Sequence, residues 1–157
     1  MKTITTTSAT EKNAAMQGRL FDPVYKKGNF VKVRYAYWTR QVHYTKVVWG
    51  AVQQILPDAI QVFPVHNFGV NTMYPFKELH PVLLYPALLR AMGFDERLWY
   101  AEIRLSAKQD QGGFAMRLDL DGKVMDCGDV RYVHEMQNAY FAHLGRDIKL
   151  HPEFLRM

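Results

Sequence analysis

One proline and one glycine, Pro86 and Gly93, bracket the stretch that most constrains how this chain can fold. Proline at a first helical position gives up an N–H that has no intrahelical acceptor there, and glycine just past a last turn enters positive φ without a Cβ penalty. The residues between them, Leu88, Leu89 and Met92 among them, therefore read as a short helix. Leu89 and Phe94 fall at the two positions that touch across a glycine-terminated helix end, which aims the chain as it leaves. A helix so short has no stability of its own. Its apolar side chains must be gripped by the rest of the domain, so residues 77–94 read as a hinge between two β-rich halves.

Ahead of the hinge, Lys27-Gly28-Asn29 reads as a turn. Residues 30–37 alternate: Phe30, Lys32, Arg34 and Ala36 share one face, and Val31, Val33, Tyr35 and Tyr37 the other. Residues 38–41 turn the chain into a second strand, 42–52, with a bulge or bend expected at Gly50. Pro57-Asp58 turns it again, 59–65 is a third strand that cannot be central near Pro64, and 73–79 is a fourth. Short strands with tight turns predict a small, strongly bent antiparallel sheet or partial barrel. Residues 66–72 read as a loop.

Behind the hinge, 98–105 alternates as a strand. Phe114, Met116, Leu118 and Leu120 share one face of the next, a half-buried antiparallel strand. Asp121-Gly122 is the strongest hairpin signal in the chain, because both central residues of such a turn need positive φ. Residues 123–126 pair back, a turn at Cys127-Gly128-Asp129 follows, and 130–144 carries the stripe Val133, Met136, Tyr140, Leu144 of an amphipathic helix ended by Gly145. The last residues read as an extended tail. The expected fold class is α+β: an N-terminal bent sheet or partial barrel, a short central helix, a β-meander and one C-terminal amphipathic helix.

At 157 residues the chain is the size of one domain. Residues 1–18, rich in Thr, Ser and Ala, read as a flexible arm, and 19–157 as a single domain. One cysteine, Cys127, rules out an intrachain disulfide and a cysteine cage for a metal. No apolar run approaches the roughly 20 residues of a membrane-spanning helix. Thr and Ser follow Lys2 where a secretory leader would be apolar. These features predict a cytoplasmic protein without membrane contact. The net charge of +5 is uneven. Residues 1–75 hold nine cations against three acids, and residues 26–46 hold Lys26, Lys27, Lys32, Arg34, Arg40 and Lys46 with no acid.

That segment also contains Tyr35, Tyr37, Trp38 and Tyr44, and cations interleaved with rings suit nucleic acid, whose phosphates and bases they meet. The tyrosines at 35 and 37 fall opposite Lys32 and Arg34, as in a half-buried sheet with a solvated basic face. Elsewhere, chemistry is sparse. The run His134-Glu-Met-Gln-Asn138 lacks the second histidine of a zinc-protease helix. His134, Gln137 and Asn138 read as a polar helix edge that bonds neighbouring strands or loops. His43, His66, His80, His143 and His151 show no metal-ligand spacing. Cys127 has no partner histidine in sequence, and Asp119, Asp121, Asp126 and Asp129 lack the spacing and closing Glu of a calcium loop. No phosphate loop, nucleophile elbow or dinucleotide fingerprint is present.

Two strings carry a resemblance. Leu79-His80-Pro81-Val82-Leu83-Leu84 with the helix ending Met92-Gly93-Phe94, and Tyr132-Val133-His134-Glu135-Met136-Gln137-Asn138-Ala139-Tyr140-Phe141 ahead of Leu144-Gly145, resemble a family of small uncharacterised proteins. Its members are abundant in phages, prophages and mobile elements of Bacteroidota. The resemblance covers about 30 of the 157 residues, and it implies a genomic setting, not a mechanism. Tyr85-Pro86 stands where a capping Thr and an acid are usual, and Arg146-Asp147 where a Glu pair is usual.

The expected function is a non-enzymatic phage or mobile-element protein that binds a host or phage protein, with no cofactor and no metal. Nucleic-acid binding through residues 26–46 is the second expectation, and an enzyme whose site is invisible in sequence the third. The candidate binding residues are Lys32, Arg34, Trp38, Arg40, Lys46, His134, Gln137 and Asn138; no catalytic residue is named.

Overall fold

The computed structural model describes residues 25–38, 40–65, 71–109 and 112–157. The expected arm, residues 1–18, lies outside them, as does most of the expected loop at 66–72. Strands β1 (Phe30–Trp38), β2 (His43–Ile55), β3 (Ala59–Pro64) and β4 (Thr72–Pro75) form an antiparallel meander, and β5 (Leu79–His80) returns to the free side of β1. The sheet order is β4-β3-β2-β1-β5. This is the expected bent sheet, curled into a half-barrel.

Alternation along β1 decides its inside. Val31 and Val33 are fully buried and pack with Val48, Val52, Ile60 and Val62 within the curl. Each such side chain contributes roughly 1.5–3 kcal/mol. Gly50 is not the expected bulge: the ladder runs straight through it, and the irregularity falls between Val52 and Gln54. Its smallness has another cause, since a Cβ there would lie 2.3 Å from Val62 Cγ1. Pro64 pairs only with Gly50, beyond the reach of β4, so its missing N–H breaks no ladder.

A 3-10 turn (Phe76–Glu78) precedes β5, where a continuous strand is expected, and α1 follows (Pro86–Ala91) with Pro86 in its first turn. The N–H of Phe94 donates to Leu89 O and that of Gly93 to Arg90 O, both at 3.0 Å, and Gly93 has φ 107. That is the glycine-terminated exit the sequence demands. Leu88, Leu89, Met92 and Phe94 are all buried in the larger of two cores.

The second sheet has the order β6 (Trp99–Tyr100), β7 (Ile103–Ala107), β8 (Phe114–Leu120), β9 (Lys123–Val130). Residues 98–105 are thus not one strand but a tight reversal. The Asp95 carboxylate accepts the N–H groups of Arg97 and Trp99, each at 2.9 Å, and Leu98 and Ala101 take positive φ. Local side-chain bonds to the backbone override the alternation here. Asp121 (φ 50) and Gly122 (φ 87) make the expected hairpin turn. Cys127-Gly128-Asp129 does not end the strand. It is a bulge inside β9, where Gly128 has φ 80 and the register slips between Ala115 and Arg117.

Helix α2 (Val133–Leu144) starts later than residue 130 because the Glu135 carboxylate accepts the N–H groups of Arg131 (2.7 Å) and Tyr132 (3.1 Å). An acid so placed satisfies the N–H of the capping residue and of the residue before it. The tail is not extended throughout: Pro152–Arg156 winds into a 3-10 turn that sets Phe154 against Phe30 and Trp49, with ring centroids 5.2 and 5.1 Å apart. The segments 79–84 and 132–145 touch each other through Val133 N–H to Val82 O (2.9 Å), and Leu84 N–H donates to the preceding Arg131 O (2.8 Å).

Candidate functional site

The five strands of the first sheet contain Lys32, Arg34 and Lys46 and no Asp or Glu. The register divides these cations. Lys32 lies opposite Trp49 and His80, and Arg34 opposite Val47, all on the outer face of the curl, whereas Lys46 lies opposite Tyr35 on the face of Val33 and Val48. Lys46 therefore does not join the other two, and Arg40 sits exposed in the β1–β2 connection. Trp38 ends β1 opposite His43, and its side chain lies outside the described residues.

Lys32 is half-buried, its Nζ 5.2 Å from the centroid of the Trp49 ring. Trp49 itself is only 2% exposed, covered by Phe154, so its faces are closed to a stacking base. Arg34 and Ala36 wall a hollow of about 440 Å³ with His43 and Thr45 on the sheet side. Lys77, Glu78 and His80 form its far wall. His43 and Thr45 reach the face through the β1–β2 ladder, whereas Lys77 and His80 join it only because β5 folds back on β1, a pairing with no local signal. On the same face exposed Val47 lies opposite Arg34, and, beyond buried Trp49, exposed Phe63 and Met73 lie opposite Ala51 and Gln61.

The polar edge of α2 has a different fate. Gln137 Oε1 accepts the N–H of Phe30 (2.9 Å) and its Nε2 donates to Gly28 O (3.2 Å). Asn138 Oδ1 accepts from Asn29 Nδ2 (3.0 Å), while Asn29 Oδ1 accepts the N–H of Lys26 (2.7 Å). These groups tie the helix to the turn before β1. A hollow of about 410 Å³ beside them, with Lys26 Nζ 5.7 Å from the Phe141 ring, is lined by amides already engaged in that network.

His134 is 2% exposed, between Tyr25 (centroids 4.8 Å apart) and Tyr132 (5.7 Å, stacked), and its Nδ1 has no hydrogen-bond partner. Burial pushes its pKa down to about 4 against a smaller opposing pull from Glu135, and pushes the Tyr25 hydroxyl up to about 12. The imidazole is neutral at physiological pH. A third hollow, about 510 Å³, holds Glu102, bonded by the Tyr140 hydroxyl at 3.0 Å and by Arg146.

Burial and the neighbouring Asp126 raise the Cys127 thiol's pKa, the reverse of an activated nucleophile. Among the described residues no three His, Cys, Asp or Glu side chains gather as metal ligands, and no helix is long and apolar enough to cross a membrane. No protein-family model matches this chain, and neither a curated protein nor a solved structure matches it significantly.

Proposed function

We propose that this chain is a non-enzymatic binding protein that grips another protein by the outer face of its curled sheet. The observation that carries this reading is the mixture on one exposed surface. Exposed Arg34 stands opposite exposed Val47, and on the same side of the sheet Phe63 and Met73 are exposed on β3 and β4. Arginine with apolar side chains is the composition of protein contact surfaces. The resemblance of the Leu79–Leu84 and Tyr132–Gly145 strings to small mobile-element proteins of Bacteroidota directs the choice of partner to a host or phage protein of the bacterial cytoplasm.

Nucleic acid is the second reading, favoured by the absence of any acid from the five strands. The closed faces of Trp49 weigh against it, because sequence-independent strand binding draws much of its affinity from rings open to bases. The test is affinity capture of the full chain from native lysate at low and high salt, beside the double variant Arg34→Glu/Lys77→Glu. A stoichiometric protein partner that survives nuclease and is lost with the variant is expected. Nucleic acid that elutes with the chain at low salt and leaves at high salt would replace this reading with the second. Neither species would overturn both.

A further inference from the structure

The backbone of β1 is half-used on one side. Asn29 and Val52 are in register with the β1–β2 ladder, and Val52 N–H donates to Asn29 O at 2.9 Å. Hydrogen bonding alternates along an antiparallel pair, so the odd-numbered residues of β1 bond to β2 and the even-numbered ones point away from it. Phe30 agrees, for its N–H goes to Gln137 at 2.9 Å, off the β2 side. Lys32 then meets His80 of β5, and β5 ends its pairing at Val33–Leu79. The N–H and C=O groups of Arg34, Ala36 and Trp38 thus face outward, and among the described residues no strand pairs with them.

We infer that this open edge receives an extended, acidic segment of the protein partner as an added antiparallel strand. The inference rests on the protein-binding reading above and names its mode. Strand addition takes affinity from main-chain bonds and selectivity from side-chain pockets. Here the pocket is the 440 Å³ hollow that opens along the edge, with Arg34 on one wall and Lys77 and His80 on the other; among its described lining residues Glu78 is the one acid. Every second side chain of an added strand projects into it, and carboxylates there meet the two cations. A second copy of β1 would bring Lys32 and Arg34 against their equals. Residues 1–24 hold Lys2, Lys12 and Arg19 against Glu11 and Asp22, so charge does not select them either.

The probe is a capped ten-residue peptide of alternating Glu and Thr, titrated into the full ¹⁵N-labelled chain. The same peptide N-methylated at every second residue and a Lys-Thr peptide serve as controls. Expected are slowed hydrogen exchange at the Arg34, Ala36 and Trp38 amides and at least tenfold weaker binding of the N-methylated peptide in one methylation frame. Arg34→Glu/Lys77→Glu should reverse the preference for the acidic over the basic peptide. Equal binding of both methylation frames, or binding without protection of those amides, would overturn strand addition and leave a charge-driven face standing. Absence of binding at millimolar peptide would overturn it as well. A partner captured from lysate in either case would keep the protein-binding reading, so the two fail separately.

Discussion

In and around the second sheet three cations have acidic partners: Arg104 lies 3.8 Å from Asp119, Lys108 meets Asp129, and Arg146 from beyond α2 meets Glu102. In the first sheet Lys32 and Arg34 stand on strands without a single acid, and among the described residues that line the hollow Glu78 is the one acid. The halves also differ inside. Most of the large buried side chains, from both helices, the second sheet and the C-terminal turn, fill one core, while a smaller valine-rich core fills the curl. One half pairs several of its charges internally and contains the larger core; the other turns Arg34 outward without an acid on its own strands. Gln137 and Asn138 join the two by clasping the turn at residues 28–30.

Truncation inside the larger core should break the comparison most severely. Leu88→Ala removes a fully buried side chain from a helix that depends on packing, and should cost about 2–5 kcal/mol in denaturant unfolding. A cost below about 1 kcal/mol would mean that α1 is an appendage. Acid comes next. His134 is neutral when folded down to about pH 4 but takes a proton near 6.5 when unfolded, so the unfolded state binds more protons in that window. Stability should be unaffected by this group above pH 6.5, fall by roughly 1 kcal/mol per pH unit between 6.5 and 4, and level off below. His134→Phe should flatten that slope in Tm against pH; an unchanged slope would assign acid lability to other groups.

Gln137→Ala leaves the Phe30 N–H and Gly28 O without a partner and should cost about 1–3 kcal/mol, while Ala at His134, Gln137 and Asn138 together should lower Tm further. A triple variant as stable as the parent would show that the halves need no clasp. Smallest is Arg34→Glu with Lys77→Glu, an exposed pair expected to move stability by no more than about 0.5 kcal/mol while abolishing partner capture. A large loss of stability there would make the face structural.

Where a residue's conformational demand is local, the sequence alone determined the outcome. Pro86 and Gly93 set the ends of α1, Asp121-Gly122 the hairpin and Gly145 the end of α2, because positive φ and a missing N–H are properties of single residues. Alternation likewise told which side of β1 is buried. Tertiary structure decided what depends on a neighbour distant in sequence. Gly50 is small because Val62 comes close, Trp49 is closed because Phe154 winds back over it, and the basic face gains Lys77 and His80 because β5 returns to β1. The β1–β2 register put Lys46 on the other side, and the short pairing of β5 left β1 with an open edge among the described residues. Strand register and side-to-side order are set by packing between segments far apart in the chain, so local pattern does not contain them.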